Sequence, residues 1–166
     1  PDGKYVAWLS MERNGYESDR NRLCILNLKT GIKTYVTEEF RSGVDGFCWN
    51  ADSRSLYFTG VWHARSMVYS TDLKGNVQQL TDGDYDYGSS PILCGNDLIV
   101  NRHSISAPDD IYRLSFNKRK ETKVTQLTRE NQYFQERLTM GEVKERWVNT
   151  TDGKKELCWV IYPPHF

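Results

Sequence analysis

Serine-type acyl transfer needs a hydroxyl activated by a histidine, a carboxylate that orients the histidine, and donors for the oxyanion. The sequence offers three histidines, His63, His103 and His165. None accompanies a Gly-x-Ser-x-Gly string, the tight elbow that presents such a serine in α/β-hydrolase sheets. The nearest string, Gly88-Ser89-Ser90-Pro91-Ile92, lacks the second glycine and reads as a turn into a strand. His63 falls in a loop between strands, His103 ends an apolar run, and His165 follows Pro163-Pro164. Each reads as a loop or surface histidine rather than a catalytic one. Asp84-Tyr85-Asp86-Tyr87 alternates carboxylates with phenols. Two carboxylates are too few for the six or more oxygens that calcium takes, so a polar turn with tyrosine packing is expected. Cys24, Cys48, Cys94 and Cys158 stand 24, 46 and 64 residues apart, with no Cys-x-x-Cys pair. That spacing disfavours zinc and predicts free, mostly buried strand thiols, with one disulfide left open if the protein is exported. Of the tryptophans, Trp8, Trp49, Trp147 and Trp159 fall on or beside predicted strands and read as packing, with Trp62 as the exposed exception. Lys118-Arg119-Lys120, followed by Glu121, reads as a solvated hairpin tip. No cofactor or metal is expected.

The composition bounds the class. Lys+Arg and Asp+Glu are both 22 in 166 residues, so the net charge is zero. This excludes a strongly basic nucleic-acid surface, and no nucleic-acid partner is expected. Apolar residues make up 38% and aromatics 13%, a balance that suits pleated sheets better than helix bundles. No apolar run approaches the ~20 residues of a membrane span. The chain opens on Pro1-Asp2-Gly3-Lys4, which reads like a turn between strands. It is therefore expected to be part of a longer polypeptide.

A repeat organises the elements. Leu23 to Gly31, Met67 to Gly75 and Asp110 to Lys118 each give an apolar run and a polar turn, followed by a second run closing on threonine. The closing residues Thr37, Thr81 and Thr128 are 44 and 47 apart, and the equivalent Leu28, Leu73 and Phe116 are 45 and 43 apart. Upstream of each hairpin lies another apolar run: Tyr5 to Leu9, Leu56 to Val61, Leu98 to Val100. Short runs precede the latter two, Gly46 to Trp49 and Ser90 to Leu93. About four strands in each period of roughly 40–50 residues match a β-propeller blade. The expected fold is all-β: a partial β-propeller of about three four-stranded antiparallel blades in an open arc. The blades occupy 1–44 (incomplete at its start), 45–83 and 84–128, and 129–166 forms a last strand or strands and a junction. The one helix expected is Arg129 to Leu138. Three blades do not close a ring, so uncovered end faces should make the isolated chain self-associate.

The tail is the more specific feature. Thr151-Asp152-Gly153, the apolar run Leu157 to Tyr162, and Pro163-Pro164-His165-Phe166 resemble the propeller-to-hydrolase junction of the prolyl oligopeptidase family of serine peptidases. Thr81-Asp82-Gly83 with Asp86-Tyr87 resembles that family's inter-blade turn, and Ser106-Ala107-Pro108-Asp109-Asp110-Ile111-Tyr112 its lead into a third blade strand. Its bacterial dipeptidyl-peptidase and acylaminoacyl-peptidase branches are the nearest in pattern. The resemblance implies a catalytic triad in an α/β-hydrolase domain outside these residues, short peptides as substrates, and a propeller that gates their access. In such enzymes two adjacent propeller glutamates grip the substrate amine. Glu38-Glu39 is the candidate pair here, although its place after an outer strand fits a solvated turn better. A periplasmic or secreted location is implied, with cytoplasmic relatives as the alternative. The competing reading is a non-enzymatic Tol-like propeller that binds a protein or glycan partner.

Overall fold

The computed structural model describes residues 1–117 and 121–166. The basic cluster Lys118, Arg119 and Lys120 lies outside the described residues. Apolar runs bounded by Gly, Asn and Asp turns fold as short antiparallel strands. The first sheet holds β1 (Tyr5–Ser10), β2 (Arg22–Asn27) and β3 (Lys33–Tyr35), in that order. The second is a meander of β4 (Gly46–Trp49), β5 (Ser55–Trp62), β6 (Arg65–Asp72) and β7 (Val77–Gln79). The third contains β8 (Asp86–Tyr87), β9 (Ile92–Cys94), β10 (Asp97–Ser104), β11 (Ala107–Phe116) and β12 (Thr122–Gln126). After one helical turn, α1 (Gln132–Gln135), comes a separate hairpin of β13 (Val143–Asn149) and β14 (Lys155–Ile161).

The repeated threonine has a repeated job. The Thr37 hydroxyl accepts the Leu23 N–H at 2.8 Å, Thr81 accepts that of Val68 at 2.9 Å, and Thr128 accepts that of Ile111 at 2.9 Å. In each case the residue before the threonine donates its own N–H back to the same partner: Val36 to Leu23, Leu80 to Val68, Leu127 to Ile111. Here the outer strand has ended and the ladder would stop. The side-chain oxygen replaces the missing carbonyl, so a buried strand N–H keeps a partner. The opposite turns are also built alike. The Asn27 amide oxygen accepts the N–H groups of Lys29 and Thr30, and the Asp72 carboxylate accepts those of Lys74 and Asn76.

Aromatic contacts bolt one sheet to the next. Tyr5 of the first sheet meets Trp49 of the second at 6.4 Å, and Tyr57 of the second stacks on Phe116 of the third at 5.4 Å. Phe40, from the connection between the first two sheets, packs edge-on against Phe58 and Tyr69, which are cross-strand partners. Such pairs add to plain apolar burial. Gly46 lies against the Ser89 carbonyl so closely that any Cβ would collide with it. One core cluster, from Leu23 to Leu114, runs through all three sheets, and the hairpin contributes nothing to it.

Several expectations need correction. The inner strand of the third sheet is split into β8 and β9, so Asp86-Tyr87 is strand rather than polar turn. Pro91 has no N–H for a ladder and stands at that break. The helix expected over Arg129 to Leu138 shrinks to one turn, with no side-chain cap and no buried residue to hold it. Only Cys24 is buried; Cys48 and Cys158 are half-buried and Cys94 is exposed, all four with free thiols. Trp147 is as open to solvent as Trp62.

Thr81→Val should leave the Val68 N–H buried without an acceptor, at a cost of ~1–3 kcal/mol. A lowered denaturant midpoint and faster exchange of the Val68 amide are expected. Unchanged values would remove the threonine from its bridging role.

Candidate functional site

Antiparallel order sends the connections alternately to two ends of the sheets. The tight turns at 28–32, 50–54, 73–76 and 95–96 share one end. The other end carries the connections 11–21, 36–45 and 80–85 and the turns 63–64 and 105–106. Long connections on a rigid scaffold are where binding groups are usually placed. The charged and aromatic side chains of this chain gather at that second end.

At its centre is the turn joining β5 to β6. Trp62 pairs with Arg65, leaving His63 and Ala64 as a two-residue loop. Both are left-handed, with φ of 51° and 54°. That geometry usually selects Asn-Gly, because a Cβ crowds the carbonyl there. Here it stacks the His63 ring on the Trp62 indole at 4.5 Å and presents the opposite edge to Trp147 of β13 at 5.3 Å.

Arg65 opens β6 with its side chain largely buried. Its guanidinium bonds the Asp84 carboxylate at 2.6 and 2.9 Å and Glu145 at 2.6 Å, and lies 4.6 Å from the Trp159 ring. Arg65 and the Trp147 indole N–H together hold the Glu145 carboxyl below its usual range. Asp84 and Glu145 come from different elements, so one cation ties the second sheet, its following connection and the hairpin together. Beside it opens a cleft of about 530 Å³ whose walls include Tyr85, Asp86, Ile105, Val143 and Trp159.

A second cluster lies alongside. Arg102 is sandwiched between the Tyr85 and Tyr112 rings, 3.8 Å from each. His103, on β10 rather than beyond it, places Nδ1 3.0 Å from Asp109 and Nε2 3.9 Å from Asp86. With a carboxylate facing each ring nitrogen, it has no nitrogen left to serve a hydroxyl nucleophile. Asp86 also accepts the Ser66 N–H at 2.7 Å. The Asp84–Tyr87 string is thus divided among separate partners. Among the described residues no cluster of three or more His, Cys, Asp or Glu is placed to hold a metal.

The remaining candidates are dispersed. Glu38 lies between Arg22 at 3.2 Å and Arg20 at 3.6 Å, so its charge already has partners. Glu39 is exposed on a groove with Phe40, Arg41 and Trp62. Ser89 and Ser90 sit in the turn that packs on Gly46, and His165 stands exposed in the last turn. Sequence reasoning missed Arg65 and Glu145. They are 80 residues apart, and no local pattern marks either of them.

Ala64→Gly should relieve the left-handed turn by about 1 kcal/mol and raise the denaturant midpoint; a lowered midpoint would mean the turn is not strained. Thiol chemistry should separate the cysteines. Burial pushes the Cys48 thiol up to about 11. At pH 8 roughly one molecule in a thousand then carries its thiolate, and the group becomes reactive only as the pH rises toward that value. Exposed Cys94 should alkylate first in a mass-resolved time course, and equal rates at the two positions would contradict this.

No protein-family model matches the chain. The dipeptidyl-peptidase 5 of Porphyromonas gingivalis is 40% identical over 168 residues, covering all of this chain and 24% of that protein. A Pyrococcus horikoshii acylaminoacyl peptidase superposes with a TM-score of 0.76 over 98% of this chain and 24% of its own, at 18% identity. The β-propeller domain of the Trilobed protease from Pyrococcus furiosus gives a TM-score of 0.60 over 78% of this chain and 38% of its own, at 16% identity. The three sheets are thus arranged as in known propellers. The chain spans about a quarter of the length of the curated relatives it matches.

Proposed function

We propose a role for a chain that belongs to the dipeptidyl-peptidase 5 and acylaminoacyl peptidase family: it is the propeller part that restricts which peptides reach a serine-peptidase centre elsewhere in the same polypeptide. The observation that carries this reading is the match to dipeptidyl-peptidase 5 over every residue of the chain, at 40% identity. The site agrees with it. Three sheets held by apolar and aromatic contacts make a wall, and His103 is the only histidine with carboxylates on both sides. It has no part in a triad. The work of this segment is exclusion and shape, with bond-breaking left to a hydrolase domain.

The end faces support a segment that is covered in its working state. Ile92, Ile111 and Leu127 are exposed on the third sheet and its closing residues, and Tyr133, Phe134, Leu138 and Met140 are exposed after it. Exposed apolar groups in such number mark contact surfaces. The isolated chain should therefore self-associate, seen as a concentration-dependent mass in light scattering. A monomer at all concentrations would contradict that.

The functional test uses the full-length polypeptide. It should release dipeptides from short peptides and leave folded proteins intact, while the 166-residue chain releases nothing. If the full-length polypeptide releases no dipeptide, the peptidase reading fails. If it degrades a large protein substrate as fast as a short peptide, only the gating reading fails.

A further inference from the structure

The hairpin β13–β14 is the least anchored part of the fold. It pairs with no other strand and adds no residue to the core. Its outward side chains Trp147, Val148 and Ile161 are exposed. What holds it to the sheets is concentrated at one place. Glu145 reaches the Arg65 guanidinium at 2.6 Å, Trp159 lies under the same guanidinium at 4.6 Å, and Trp147 meets His63 edge-on at 5.3 Å. Asp84 holds Arg65 from the side of the sheets. Glu145 is in turn fixed by the Trp147 indole N–H at 2.5 Å.

We infer that Arg65 is the latch that sets the pose of the hairpin, joining it to the sheets through Asp84 and Glu145, so that the hairpin swings as a unit when that bridge is broken. The planar fork suits this task. One edge of the guanidinium serves Asp84, one nitrogen is shared with Glu145, and its face lies on an indole. A lysine could carry the charge but not all three contacts. The hairpin's internal ladder runs in unbroken register from Val143↔Ile161 to Asn149↔Lys155, so it keeps its own shape when released. The left-handed His63-Ala64 turn has a purpose in this arrangement: it brings His63 and Arg65 to the same side, facing the hairpin. Arg65 acts here as a positioning residue, and the inference does not depend on the peptidase reading.

The test measures pose rather than activity. Nitroxide labels at Lys29→Cys and Thr151→Cys, in the full-length polypeptide with its other reactive thiols replaced, report the distance from the first sheet to the hairpin tip by electron–electron spectroscopy. The parent should give one narrow distance. Glu145→Gln, at a surface position, should keep the fold and broaden and shift the distribution; Arg65→Met should do so more, and Arg65→Lys should fall between. If Arg65→Met does not fold, Glu145→Gln decides the matter. A distribution that stays narrow and unshifted in Glu145→Gln overturns the latch.

Discussion

The fold depends on a buried strand N–H that must find an acceptor after its neighbouring strand has ended. Short strands make this problem acute. β3 and β7 have three residues each, while the strands they flank run further. Leu23 and Val68 would be left with bare amides in an apolar core, and the threonine hydroxyls of Thr37 and Thr81 supply what the ladder does not. The chain can then leave the sheet and begin the next one without opening the core. Phe40 and Gly46 complete the transfer. The first fills the space between two sheets with an aromatic ring, and the second lets a neighbouring backbone lie directly on the strand.

Much of this was legible because it repeats. The three closing threonines and the turns at Asn27 and Asp72 recur at a spacing that points to one supersecondary unit used again, and period and strand type follow together. What was not legible has a common physical cause. The split into β8 and β9 depends on how Pro91 meets β10, a pairing that strand propensity does not report. The single helical turn at Gln132–Gln135 has apolar side chains but no surface to bury them on. The Arg65 cluster is the clearest case. Arginine, aspartate and glutamate on three separate elements carry no sequence pattern, and only the path of the chain brings them together. Their effect is tertiary from the start.

The two parts of the structure answer to different forces. The three sheets are held by burial, cross-sheet rings and satisfied backbone. The hairpin is held by one shared cation and its aromatic surroundings. Electrostatic contacts at a partly exposed rim are weaker and more sensitive to salt than a core is. A wall that keeps its shape, with an exit segment held lightly against it, suits a part whose contribution is to admit some molecules and exclude others. It also explains why the charged and aromatic residues gather at one end while the tight turns occupy the other.

The central claim is that this segment shapes access and carries no nucleophile. The most direct measurement is to treat the full-length polypeptide with a fluorophosphonate, which bonds covalently to activated serines, and to locate the label by peptide mass spectrometry. The account predicts a single labelled serine outside these 166 residues. A label on any serine within them, Ser89 or Ser90 included, would contradict it.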